Sequence, residues 1–232
     1  MISKKGEMGR KHFIVSKFQR NKGGNNLYIK KIVLGELATN CYILGCSKTR
    51  EAAVIDPAIV SNIILEQIKE NGFQLKYIIN THGHADHIGG NKMLKDEFSA
   101  NLLVHKLDEE MLIDPKKNFS FYSGIPIQSP PADQYLEDGM HLKIGLLDVL
   151  IIHTPGHSLG SVSIKVDNKI FTGDTLFREG IGRTDLPGGS NSDLTHSIKK
   201  KLFVFDASCE IFPGHGPETT LKWELENNPW LK

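Results

Sequence analysis

Four times in this chain a short run of strand-forming residues ends in a Gly-bounded or Gly-containing turn that carries histidine or aspartate. His82-x-His84-x-Asp86-His87 follows residues 77–79, and His157 lies in Thr154-Pro-Gly-His-Ser158 after residues 146–153. Asp174 lies in Thr172-Gly-Asp-Thr175 at the end of residues 169–172, and His215 in Pro213-Gly-His-Gly216 after residues 210–212. Strand ends that converge on one sheet edge are where α/β folds place their sites. The chain is thereby restricted to folds in which four strand ends meet.

The rest of the pattern agrees. Residues 27–34, 39–44 and 52–55 alternate as strands, the first two joined at Gly35-Glu36 and the third closed by Asp56-Pro57. Residues 59–70 carry apolar groups at helical spacing and stop at Asn71-Gly72. Residues 91–98 and 108–113 are expected as helices and 102–105 as a strand. Residues 116–134, rich in Pro, Gly and Ser, are expected as a long loop. Strands resume at 146–153, 161–166, 169–172 and 210–212, with an amphipathic helix over 193–205. Cys209 is expected as a small hydrophobe within a strand, and Trp223 and Trp230 as packing the C-terminal segment. The order is that of an α/β domain whose sheets are covered by helices.

Composition excludes some functions. Lys and Arg number 28 against 27 acids, a formal charge of +1, so nothing in bulk favours a polyanionic partner. Residues 1–26 hold seven basic groups and one acid, and are expected as an unstructured basic tail ahead of one domain over 27–232. A targeting peptide or nucleic-acid arm is the sharper reading of that tail, but nothing amphipathic is sustained there. No apolar run approaches the ~20 residues of a membrane span, and Phe13-Ile14-Val15 is the longest apolar stretch near the start. Three cysteines without a C-x-x-C pair suggest no disulfide framework, so a cytoplasmic protein is expected.

The cluster at 82–87 is hard to read as packing. Three imidazoles and a carboxylate within six residues would repel or desolvate one another without a cation. His82 and His84, two apart on extended chain, point the same way and can reach one ion. Asp86 and His87 open the next helix and can turn toward a second. Imidazole and carboxylate donors with no nearby thiolate suit Zn²⁺ and also fit Fe or Mn. His105, His141, His153 and His196 lie outside the motifs and are not expected as ligands.

The set His82/His84/Asp86/His87, His157, Asp174 and His215, with Asp56 ahead of it, resembles the metallo-β-lactamase superfamily, in the family's motif order. Gly173-Asp-Thr-Leu-Phe177 followed by Gly182-Arg-Thr-Asp185 resembles its short glyoxalase II-like hydrolases (hydroxyacylglutathione hydrolase-like). The resemblance implies a four-layer αβ/βα sandwich with two mixed sheets and two divalent metals, Zn²⁺ foremost. It places His82, His84 and His157 on one metal, Asp86, His87 and His215 on the other, and Asp174 across both. Asp56 would orient a ligand histidine. Asp86 and Asp174 are the carboxylates expected to take part in catalysis, and Arg183 the residue expected to hold a substrate carboxylate. The implied reaction is hydrolysis of a small-molecule thioester by a metal-bridging hydroxide.

Secreted β-lactamases match less well, because they commonly place a Cys where this chain has Asp174. The superfamily's nucleases carry an added domain or basic insert that is not seen here, so nucleic acid is not the expected partner. About 17 residues follow His215, so the C-terminal helical domain that helps longer glyoxalase II-like enzymes bind glutathione is not expected. The competing reading is a persulfide dioxygenase with one iron on His82, His157 and Asp174.

Overall fold

In the computed structural model, which describes residues 26–232, the first apolar segment, Leu27–Leu34 (β1), turns at Gly35 and Ala38, both left-handed with φ of +74° and +54°. It pairs antiparallel with Thr39–Cys46 (β2), Leu27 opposite Cys46 and Leu34 opposite Thr39. The expected basic tail lies outside the described residues except for Asn26, whose carbonyl accepts the Ser47 amide. Every residue of β2 is buried, as both faces of its sheet are covered.

Glu51–Ile55 (β3) adds antiparallel to β2. Helix Asn62–Glu70 (α1) then returns the chain to Gln74–Ile79 (β4), which lies parallel to β3. The helices Ala85–Ile88 (α2) and Asn91–Phe98 (α3) precede Asn101–His105 (β5). Helix Glu109–Ile113 (α4) and the long segment after it precede Gln134–Leu136 (β6). β4, β5 and β6 run parallel, so the first sheet has the order β1-β2-β3-β4-β5-β6.

The second half repeats the plan. His141–Ile144 (β7), Leu147–His153 (β8), Val162–Val166 (β9) and Lys169–Gly173 (β10) form an antiparallel run. Leu176–Phe177 (β11) and Gly180–Ile181 (β12) make a small hairpin, and Asn191–His196 (α5) continues as a π-helical turn through Ser197–Leu202. Glu210–Pro213 (β13) pairs parallel with β10, and Thr219–Thr220 (β14) closes the edge before Leu221–Asn227 (α6). The order is β14-β13-β10-β9-β8-β7.

Period-2 alternation decides the layers. Tyr42, Leu44, Ile55 and Leu103 from one sheet meet Ile151, Ile164, Phe171 and Phe212 from the other in the central core. Their neighbours Ile43, Val54, Ile78 and Leu102 point outward onto Ile64, Ile68 and Leu94 of α1 and α3. Ile170 and Ile211 meet Leu194, Ile198 and Leu202 on the opposite outer face. Each such side chain contributes ~1.5–3 kcal/mol by leaving water. Two mixed sheets flanked by helices form the expected four layers.

Several expectations shift. The first helix starts at Asn62, because Ala58 is used to accept the Gly89 amide. The amphipathic segment at 193–205 is α-helical only to His196, after which Ser197 bonds the Pro155 carbonyl and the turn widens to π. Cys209 is buried but precedes its strand. Trp223, 39% exposed, still ties the C-terminal helix to the domain, its Nε1 donating to Glu179 at 2.9 Å and its ring lying 5.1 Å from the Arg178 guanidinium, alongside Leu221 and a buried Glu224; Trp230, 64% exposed, does not pack there. Glu224 accepts bonds from Thr219, Asn228 and the Glu179 amide.

Candidate metal centre

The C-terminal ends of β4, β8, β10 and β13 come to one edge between the sheets, and each is followed by one of the four turns. The approach is close enough to require glycine. At Gly173, with φ of +48°, a Cβ would lie 2.3 Å from Thr81 Oγ1, and at Gly214 one would lie 2.3 Å from Asp174 Oδ1. Any larger residue would push the β10 and β13 turns away from the centre.

The seven side chains singled out by spacing are brought together. His82, His84 and His157 form one group whose potential ligand atoms all lie within 4.8 Å of one another, and Asp86, His87 and His215 form another. His82, His87 and Asp174 form a third that joins them. His84 Nδ1 faces His157 Nε2 at 2.9 Å. Asp174 reaches both sides: Oδ1 is 3.5 Å from His87 Nε2, while Oδ2 is 3.5 Å from His157 Nε2 and from His215 Nε2. Asp86 Oδ2 lies 3.4 Å from His87 Nε2 and 3.3 Å from His215 Nε2.

Outer contacts fix which ring nitrogen faces in. His157 Nδ1 lies 2.8 Å from the Arg183 carbonyl and His215 Nδ1 lies 3.0 Å from the Leu37 carbonyl. A carbonyl only accepts, so both Nδ1 atoms carry hydrogen and leave the Nε2 lone pair facing the centre. Asp56, buried and itself left-handed at φ +49°, takes the Thr81 amide at 2.8 Å, the Thr81 hydroxyl at 2.6 Å and His87 Nδ1 at 3.0 Å. Because the Thr81 hydroxyl donates to Asp56, it accepts from His82 Nδ1 at 3.1 Å.

The electrostatics call for a cation. Among buried side-chain atoms of the described residues, His82 Nε2, His84 Nε2, His87 Nε2 and Asp174 Oδ1 have no hydrogen-bond partner. Each such group costs ~1–3 kcal/mol when left unpaired. Burial, with the neighbouring imidazoles, holds His82 well below the usual histidine range and His84 down to about 3. Burial opposes charge on Asp86 and Asp174 as well, but His87, His215 and the other imidazoles outweigh it and keep both carboxyls low. Burial would likewise lower His87 and His215, yet the carboxylates prevail and raise His215 to about 9. Neutral His82 and His84, and His87 and His215 drawn toward positive charge by the ionised Asp86 and Asp174, face one space, where a divalent ion can take the place of the protons those carboxylates attract. No thiolate joins it: Cys41, Cys46 and Cys209 are buried and free.

Arg183 stands apart from the cluster. Its carbonyl is at His157, but its exposed guanidinium makes two 2.8 Å bonds to Asp185. Spacing alone missed Thr39, whose hydroxyl donates to Asp86 Oδ2 at 3.0 Å, and the rings of Phe119 and Phe177 beside His84 and His215. The other histidines of the described residues stay outside. His105 stacks on His153 at 4.1 Å, and His141 pairs with Asp148.

Four layers with nitrogen and oxygen donors gathered at the shared sheet edge define a metallohydrolase of the αβ/βα class. The sequence model of the metallo-β-lactamase superfamily matches residues 34–215, and the chain belongs to that superfamily. The crystal structure of BLEG-1, a B3 metallo-β-lactamase, is 37% identical and superposes with a TM-score of 0.83, covering 88% of this chain and 99% of that one. The structure of TTHA1623 in a di-iron-bound form is 32% identical with a TM-score of 0.76, over 87% and 99%. The hydroxyacylglutathione hydrolase GloC of Haemophilus influenzae is 34% identical over 196 residues, 83% of this chain and 92% of its own.

Proposed function

We propose that this chain hydrolyses a thioester of the S-(hydroxyacyl)glutathione type, with two divalent metals held by His82, His84 and His157 on one side and by Asp86, His87 and His215 on the other. The carrying observation is Asp174, whose Oδ1 faces His87 and whose Oδ2 faces both His157 and His215, so that one carboxylate reaches ligands proposed for each of the two metals. Bound there, the ions supply acidified water and Lewis acidity toward a carbonyl. Zn²⁺ suits the donors, and Fe or Mn also fit.

The chain's own residues do the rest. Asp86, kept ionised and steadied by the Thr39 hydroxyl, accepts a hydrogen bond from the attacking water and orients it toward the acyl carbon. Asp56 and the Arg183 and Leu37 carbonyls hold three of the rings in the productive tautomer. A thiolate leaves readily, since a thiol has a pKa of about 8.5, so no separate general acid is required. Arg183 spends its Nε and one Nη2 hydrogen on Asp185 and has its Nη1 donors left for a substrate carboxylate, with the Asp185 charge competing for it. Likeness to GloC supports the glutathione thioester. Likeness to BLEG-1 favours a second reading, a β-lactam amide opened by the same site.

The test is turnover of S-D-lactoylglutathione by Zn²⁺-loaded protein, with Asp174→Ala beside it and a chromogenic cephalosporin in parallel. Thioester turnover that disappears in the variant supports the proposal. Cephalosporin turnover alone supports the second reading. Persulfide-dependent oxygen uptake with one iron per chain overturns both.

A further inference from the structure

Asp108 sits at the first residue before α4, where an aspartate ordinarily bonds the amides of the helix's first turn. Here its side chain makes no such bond. Both oxygens turn the other way. Oδ2 accepts the Gly83 amide at 3.0 Å and the Ser158 hydroxyl at 2.6 Å, and Oδ1 accepts the Gly160 amide at 2.7 Å. Gly83 lies between His82 and His84, while Ser158 and Gly160 follow His157. One buried carboxylate therefore spans the two turns, 73 residues apart between His84 and His157, that carry the first group of three histidines.

The glycines of those turns fit the same contact. A Cβ on Gly160 would stand 2.7 Å from the Asp108 carboxyl, and one on Gly83 would stand 3.0 Å from the Asp108 carbonyl and 2.5 Å from Met111 Cβ. Asp108 touches none of the seven candidate ligands, so it acts through the backbone that carries three of them. Nothing comparable ties it to Asp86, His87 or His215.

We propose that Asp108 is the positioning residue of the first metal site, a clip that sets the spacing of His82 and His84 against His157. This rests on the two-metal reading above. The carboxylate presents acceptors to three donors. Asp108→Asn keeps the shape but replaces one acceptor with an NH₂ that must face a donor.

The experiment is titration of the metal-free full chain with Zn²⁺ and with Co²⁺ against a competing chelator, in wild type, Asp108→Asn and Ser158→Ala, with thermal unfolding of each metal-free protein. Wild type should bind two equivalents. In Asp108→Asn, one equivalent should weaken by about 10–100-fold, the range for residues that orient ligands. The other should stay within about twofold, and the Co²⁺ visible spectrum of the weakened site should change. Ser158→Ala should weaken the same equivalent by less. Two equivalents at wild-type affinity in Asp108→Asn overturn the clip, as does equal weakening of both metals with a fall in metal-free stability. If Asp108→Asn does not fold, Ser158→Ala decides: unchanged affinity for both metals overturns the proposal. Wild type that binds no metal overturns the two-metal reading itself.

Discussion

Asp56 holds three hydrogen bonds with a backbone angle of +49°, a conformation an L-residue adopts only when its surroundings determine it. Its removal leaves the Thr81 amide and His87 Nδ1 buried and unpaired, each costing ~1–3 kcal/mol. Asp56→Ala is therefore expected to weaken metal at the His87 side about 10–100-fold and to lower thermal stability, read by chelator competition and calorimetry. A different residue governs acid sensitivity away from the centre. Burial and the stacked His153 ring push His105 down to about 4, against a smaller opposing pull from Asp138, with Lys201 adding to the depression. The unfolded chain, with an ordinary histidine, binds the proton first as pH falls, so the folded state loses stability from about pH 6.5 down toward 4. Metal-free wild type should lose denaturant resistance across that interval more steeply than metal-free His105→Gln. Equal slopes in urea titrations at pH 7 and pH 5 would remove His105 from the account.

At the level of elements, the parallel pair β10–β13 carries Asp174 and His215 on adjacent strand ends, and Gly214 lets them meet. Gly214→Ala places a methyl 2.3 Å from Asp174 Oδ1 and 3.0 Å from His87 Cε1. It should abolish metal-dependent turnover while leaving the circular dichroism of the sheets nearly unchanged, because the strands end before the clash. Spacing made this region readable: residues 210–212 and the Pro-Gly-His-Gly turn stand out in one dimension. The same holds for the seven side chains at the centre, which lie in turns of distinctive composition or, for Asp86 and His87, in the short helix that follows one. Thr39 and Asp108 do not stand out, since each matters only through contacts made 25 to 52 residues away. The two-residue strands β11, β12 and β14 are too short to show a period, and the π-helical stretch at Ser197–Leu202 keeps the apolar spacing of an α-helix while changing its hydrogen bonds.

Across the whole molecule, the two halves of the chain each build one sheet, and the centre lies where they join. Some direct polar links already cross this seam: Thr39 bridges His215, Asn40 bonds the Gly214 and Pro213 carbonyls, and the Tyr42 hydroxyl reaches Pro213 at 2.7 Å. On the two-metal proposal, a metal on His82, His84 and His157 would add a tie between the halves, because His82 and His84 follow β4 of the first sheet and His157 follows β8 of the second. One on Asp86, His87 and His215 would do the same from the other side. Ions that bind the folded state alone stabilise it by RT ln(1 + [L]/Kd), ~2.7 kcal/mol at a hundredfold excess over Kd. Chelation is therefore expected to lower Tm by several degrees and to return it on adding Zn²⁺. Within residues 27–232, trypsin should then cut first at Lys116 or Lys117, on the exposed segment beside His84, and not within the buried strands. Unchanged Tm and an unchanged cleavage pattern after chelation would mean that the inner core of Tyr42, Phe171 and Phe212 holds the sheets together without help from the metals.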